Sequence, residues 1–203
     1  MHVALLGDSI FDNATYVPGE QAVVEQLQSV LPKGSTATLI AFDGSVTAEV
    51  LVQLKQVPRE ASHLVVSSGG NDALHASVLL EEPQRVIGLL ADAQNEFRKI
   101  YRKLVQGLKM TTKPILVCTI YDSVPHLGKE KKTALSIFND VIVSEASRAG
   151  VSVIDLRSLC NDESDYSELS PIEPSTTGGM KIAKRIAWVV QKFDFKFQRT
   201  ILF

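Results

Sequence analysis

Apolar residues fall along the chain in short runs separated by longer stretches of a different period. His2 to Leu6, Thr36 to Phe42, His63 to Ser67, Ile115 to Ile120 and Val151 to Leu156 have strand character. Between them, Ala22, Val23, Leu27, Val30 and Leu31 trace one helical face, and Val50, Leu51 and Leu54 a shorter one. Leu89, Leu90, Ala93, Phe97, Ile100, Tyr101, Leu104 and Leu108 form a long stripe. Leu135, Phe138, Ile142 and Ala146 form another, which Gly150 ends in the position of a C-cap. A last helix is expected from about Gly179 through Val190, with Ile182, Ala183, Ile186 and Val190 on its apolar face. Short apolar strands alternating with helices predict a three-layer α/β sandwich around a central parallel sheet of about five strands.

No internal repeat, low-complexity segment or linker divides the chain. Residues 161–170 are polar and acidic and read as a surface loop. After Lys192 the pattern changes: Phe193, Phe195 and Phe197 alternate with polar residues, a strand period following a helix. Residues 193–203 are therefore read as a tail, an extra edge strand or an arm packed on its own domain. A homo-oligomer contact through the three Phe is the sharper alternative.

The 203 residues suit one domain with a substantial core. A net charge of -2 gives no electrostatic reason to expect nucleic acid or an anionic membrane as partner. No signal peptide is recognisable at the N-terminus, and no stretch approaches the length of a membrane span. Cys118 and Cys160 have no metal-ligand spacing, and Cys118 lies in an apolar run as a buried structural thiol. A reducing, cytoplasmic setting is the expectation.

In an open parallel sheet, ligands bind beyond the carboxyl ends of the strands. Here those ends carry Gly7-Asp8-Ser9, Asp43-Gly44-Ser45, Gly69-Gly70-Asn71-Asp72 and Tyr121-Asp122, and the fifth strand leads to the loop with Glu173. Taken alone, Gly7-Asp8-Ser9-Ile10 reads as a turn with a helix cap. Gathered at one edge with Gly44, Asn71 and Glu173, Ser9 becomes a candidate nucleophile.

Gly7-Asp8-Ser9-Ile10, Gly44 and Gly70-Asn71-Asp72 resemble the first three blocks of the SGNH (GDSL-type) hydrolases. Pro174-Ser175, Gly178 or Gly179, and Ile182-Ala183 resemble the body of their last block. The likeness runs from near residue 2 to near residue 190 and covers the domain assigned to 1–192. It implies a flavodoxin-like strand order and hydrolysis of a small-molecule ester without metal or organic cofactor. It also implies Ser9 as nucleophile and an oxyanion hole from the Ser9 and Gly44 backbone N–H groups and the Asn71 side-chain amide. Asn13 and Tyr121 are candidates to line the pocket. Asp8 is expected to cap the segment after Ser9, and Asp72 to tie down the Asn71 loop.

The last block departs from the family. Where Asp-x-x-His normally precedes Pro-Ser, this chain has Ser170-Pro171-Ile172-Glu173, with Glu173 in the His place and Ser170 in the Asp place. The Asp of a Ser-His-Asp triad fixes the imidazole tautomer and stabilises the imidazolium. A carboxylate has no tautomer to fix, and a second acid beside it would repel its charge, so the two changes are consistent with each other. Three readings follow: Glu173 is the base, its pKa raised by burial; another His serves, with His75 or His126 better placed than His2 or His63; or the domain binds a ligand with little turnover. Arg98, Lys99, Arg102 and Lys103 read as a solvated helix face.

Overall fold

The computed structural model of the chain describes residues 1–81, 84–196 and 199–203. Strands β1 (His2–Gly7), β2 (Thr36–Leu39), β3 (His63–Ser67), β4 (Ile115–Cys118) and β5 (Ser152–Ile154) form one parallel sheet in the order β2-β1-β3-β4-β5. The helices among the described residues are α1 (Val23–Val30), α2 (Thr47–Gln53), α3 (Gly70–Ala76), α4 (Val86–Met110), α5 (Lys129–Ala149), α6 (Leu156–Leu159) and α7 (Thr176–Lys192).

Strand side chains alternate between faces, and the register turns that alternation into layers. Leu5 pairs with Val65 and Val65 with Leu116, a row that packs on Val23 and Leu27 of α1 and on Ile182 and Ile186 of α7. Ala4, Leu6, Leu64 and Val66 point the other way, onto Val50 of α2, Phe97 and Tyr101 of α4 and Ile142 of α5. The sheet is buried on both sides, which is why its strands read as continuous apolar runs.

Two buried amide side chains take over the hydrogen bonding where strands stop. Gln53 accepts from the Gly7 N–H at 2.7 Å and donates to the Gly7 carbonyl at 2.8 Å. Asn139 does the same for Ile120, with both bonds at 2.8 Å. β4 ends at Cys118 and β2 at Leu39, short of the apolar runs that predict them. Beyond each, a few bonds still tie the chain to its neighbour: the N–H groups of Ile40 and Ala41 donate to the Leu5 carbonyl, and that of Thr119 to the Ile154 carbonyl. At Gly7 φ is +130°, and a Cβ there would stand 1.8 Å from the Ser67 carbonyl oxygen, so only glycine fits.

Helix α7 starts earlier than its apolar pattern suggests. Ser175 is its N-cap, accepting from the N–H groups of Thr177 and Gly178 at 3.1 and 3.2 Å. Gly178 is poor in helix propensity, yet its place is set by packing: a Cβ there would lie 2.1 Å from the Asp165 carbonyl oxygen. Helix α5 does end at Gly150, which is left-handed at φ +67°.

The reading of residues 161–170 as surface loop holds at its two ends, where the residues are exposed, and is corrected at its centre. Asp165, Tyr166 and Ser167 are inside. The Tyr166 hydroxyl donates to the Cys160 carbonyl at 2.7 Å, and Lys181 of α7 meets the Asp165 carboxylate at 2.8 Å. A buried acid paired with a lysine from another element cannot be told from a solvated acid by local sequence. The basic run on α4 is exposed at Lys99, Arg102 and Lys103, as its reading expects, while Arg98 is half-buried and Arg98 and Arg102 also reach across to Glu145 of α5.

The tail lies on its own chain. The Val153 N–H donates to the Ile201 carbonyl and the Phe203 N–H to the Val153 carbonyl, both at 2.8 Å, so residues 201–203 run beside β5. Phe193 packs on Phe195 and Phe203 with ring centroids 4.8 and 5.1 Å apart. Phe197 falls outside the described residues.

Candidate active site

The strand ends are braced against one another by side chains that follow the first and second strands. Asp8 closes the turn after β1: its carbonyl accepts from the N–H groups of Phe11 and Asp12, both at 3.1 Å. Its carboxylate accepts from the Ile10 N–H at 3.3 Å and the Ser67 hydroxyl at 3.0 Å, the cap expected of it. Burial pushes the Asp8 carboxyl up to about 7. Asp12 accepts from the Asp43 N–H at 2.9 Å, and the Tyr16 hydroxyl donates to Asp43 at 2.8 Å. Together they hold the loop that carries Gly44. Asn71 stands in the first turn of α3 rather than in a loop, and its amide donates to the Ser45 carbonyl at 3.0 Å. Asp72 accepts from both the N–H and the hydroxyl of Thr47 at 2.9 Å, so it ties α3 to the start of α2.

Ser9 is 7% exposed, and its hydroxyl donates to Glu173 Oε1 at 3.2 Å. Glu173 is 4% exposed, and its other oxygen, Oε2, has no hydrogen-bond partner among the described residues. Burial raises the pKa of this carboxyl above the ordinary glutamate value, with the nearby negative charge of Asp43 adding and the hydroxyls of Ser170 and Ser9 opposing. The segment around Glu173 is clamped at three consecutive carbonyls. The Tyr121 hydroxyl donates to Ile172 at 2.7 Å, the Ser167 N–H to Glu173 at 2.9 Å, and the Asn13 amide to Pro174 at 3.1 Å.

Asn13 is therefore not a pocket residue. It is wholly buried, and its remaining amide oxygen accepts from the Val23 N–H at 2.9 Å. Tyr121 does line the cavity beside Ser9, but its hydroxyl is committed to the Ile172 carbonyl. The sequence marks both as polar residues near the right strands. What it cannot mark is that the amide of Asn13 and the hydroxyl of Tyr121 donate to backbone carbonyls some fifty residues or more away.

No histidine reaches the pair. His75 and His126 are exposed and do not line the cavity. His2 and His63 lie at the amino ends of their strands, where they meet Thr38 and Ser62 at 2.8 and 2.9 Å. Among the described residues, no group of three His, Cys, Asp or Glu is placed to hold a metal ion, and no helix is long and apolar enough to cross a membrane.

From Ser9 and Glu173 a cavity of about 120 Å³ runs between α3, the start of α4 and α5. Leu74, Leu80, Leu90, Leu135 and Phe138 form much of its wall, with Asn71 at its polar end. Gly44 is exposed outside that wall, and a Cβ there would meet nothing within 4 Å.

Strand order and layered core define a three-layer α/β fold with a serine at the carboxyl edge of its sheet. The chain belongs to the GDSL-like lipase/acylhydrolase family, whose sequence profile matches residues 5–178. A comparison with curated protein sequences found no match. Among solved structures, the chain is similar to a lipase from a goat rumen metagenome, with a TM-score of 0.73 at 20% identity over 92% of this chain and 97% of that one. It is also similar to an acetyl xylan esterase from Geobacillus stearothermophilus, here a W215I variant, with a TM-score of 0.67 at 18% identity over 94% and 93%. An extracellular lipase from Streptomyces rimosus gives 0.66 at 15% identity over 92% and 99%. At these identities the structural likeness concerns the fold.

Proposed function

We propose that the protein cleaves carboxylic esters through an acyl-serine intermediate, with Ser9 as nucleophile and Glu173 as general base. The observation that carries the reading is the 3.2 Å contact from the Ser9 hydroxyl to Glu173 Oε1 at the carboxyl edge of the sheet. As Ser9 Oγ bonds to the ester carbonyl carbon, its proton passes to Glu173 and the carbonyl electrons move onto oxygen. The Ser9 and Gly44 N–H groups and the Asn71 amide are the donors assigned to that oxyanion. Collapse breaks the bond to the alcohol oxygen, which takes the proton from Glu173. Water then repeats the sequence, giving its proton to Glu173 as it attacks the acyl carbon, and Ser9 leaves with that proton.

An ordinary glutamate is a weak acceptor for a serine proton, with a pKa near 4.3 against 6.5 for histidine. Burial without a cation raises Glu173 and so narrows that difference. A carboxylate needs position rather than tautomer control. The clamp by Tyr121, Ser167 and Asn13 supplies position through the main chain, in place of the acidic partner that a histidine requires.

A fluorophosphonate probe tests the reading directly. Covalent labelling of Ser9 that disappears in Glu173→Gln supports an activated hydroxyl. A protein that holds short esters but is neither labelled nor active is a binding domain, and that outcome overturns the esterase reading.

A further inference from the structure

The wall of the cavity beside Ser9 selects a substrate class, and this inference rests on the esterase reading above. We propose that the site takes esters of linear aliphatic acids, with the acyl chain in the apolar cavity and a limit near six carbons. Asp8, Ser67 and Ser77 join Asn71 and the Ser9–Glu173 pair at the polar end, but most of the wall is apolar, with Leu74, Leu90 and Leu135 of α3, α4 and α5 and Phe138, which is 2% exposed. The two aromatic rings in the wall, Tyr121 and Phe138, are each 2% exposed and turn no open face to a sugar. Lys131 is the one cation among the described wall residues. At the rim Leu74 and Ile172 are 48% and 41% exposed, apolar surface that a hydrocarbon chain would cover.

The ester has two arms, and the chemistry says which one enters. The alcohol must depart and water must reach the acyl-enzyme beside Glu173, so the leaving arm needs the open side. The acyl arm stays bonded to Ser9 through both steps and can lie in the apolar cavity beside it. Size sets the limit: an apolar protein cavity of about 150 Å³ holds a six-carbon ring, and this one is about 120 Å³.

The test is a two-way series of p-nitrophenyl and alkyl esters on the full chain. Each methylene buried in the cavity adds about fourfold to kcat/KM (about 0.8 kcal/mol). The butanoate is then expected to exceed the acetate by about 15-fold, with the gain levelling off near hexanoate and dodecanoate no better. Lengthening the alcohol from ethyl to hexyl acetate should change kcat/KM less than about threefold. Ala76→Phe, which fills the wall, and Leu74→Ala, at an exposed rim position where misfolding is not at issue, should each lower the hexanoate-to-acetate ratio. Ser9→Ala is expected to bind hexanoate more tightly than acetate by calorimetry. Equal rates on acetate and hexanoate, or rates that follow the alcohol chain, overturn the cavity assignment and leave the esterase reading standing. Hexanoate bound by Ser9→Ala while no ester is cleaved by the native chain supports the cavity and removes the esterase reading. Neither binding nor cleavage removes both.

Discussion

Glu173 and Glu145 are hidden almost equally, at 4% and 3% exposed, and their surroundings push them in opposite directions. Glu145 on α5 faces the basic side of α4. Arg102 donates to its two oxygens at 2.8 and 2.9 Å, Arg98 lies 3.4 Å away, and Arg148 lies 3.6 Å away. These partners hold its carboxyl below the usual range. Glu173 is buried against Ser9 with no cation contributing, one oxygen has no hydrogen-bond partner among the described residues, and its carboxyl is raised. Burial alone does not decide what a carboxylate does; the charges that meet it there do. One glutamate joins two helices, and the other keeps an affinity for protons that a base can use.

The largest expected break in this comparison is chemical. Glu173→Gln and Ser9→Ala should each lower kcat on p-nitrophenyl butanoate by about 10²–10⁴, while Glu145→Gln leaves it unchanged. Near-native turnover in Glu173→Gln would make the two glutamates equivalent and end the base assignment. Tyr121→Phe comes next. Releasing the Ile172 carbonyl loosens Glu173, and about a tenfold fall in kcat with little change in KM is expected. A rise in KM alone would instead make Tyr121 a substrate contact.

The stability effects are smaller and have opposite signs with pH. Glu145 has its pKa lowered by folding, so its stabilisation is present above its unfolded pKa and is lost as pH falls through the folded value. Glu145→Gln should lower Tm at pH 7 by about 2–4 °C, a modest loss because its arginines are partly in water. That deficit should close in acid. Glu173 has its pKa raised by folding, so its favourable contribution is complete below the unfolded pKa and is lost as pH rises through the folded one. Glu173→Gln should therefore gain stability relative to the native chain at pH 7, by an amount that vanishes in acid. In the same direction, kcat/KM of the native enzyme should rise with pH on a limb governed by Glu173, above the range of an exposed glutamate. Thermal melts and rate profiles across pH check both. The smallest effect is expected at His75→Ala and His126→Ala, where kcat/KM should stay within about twofold. A large loss at either would return the base to histidine.

The strands, the long stripes of α4 and α5 and the Gly150 cap were legible because apolar period and a left-handed turn are local properties. Ser9, Gly44, Asn71 and Glu173 could be gathered from sequence because a parallel sheet brings its strand ends to one edge. Other features depended on distant partners. Asp165 looks solvated until Lys181 of α7 reaches it, and nothing local shows that Arg98 and Arg102 share Glu145 of α5. Asn13 looks like a pocket residue until Pro174 takes its amide.

By itself, then, the sequence determined a layered α/β enzyme with a serine after its first strand and a glutamate where a histidine is usual. Only the tertiary structure decided that this glutamate is buried without a cation, within reach of Ser9 and clamped by its own main chain. It also decided that an apolar cavity opens beside the pair. The physical reason is that a carboxylate's proton affinity and a cavity's shape are set by groups far away in the chain, while period and turn are set by neighbours.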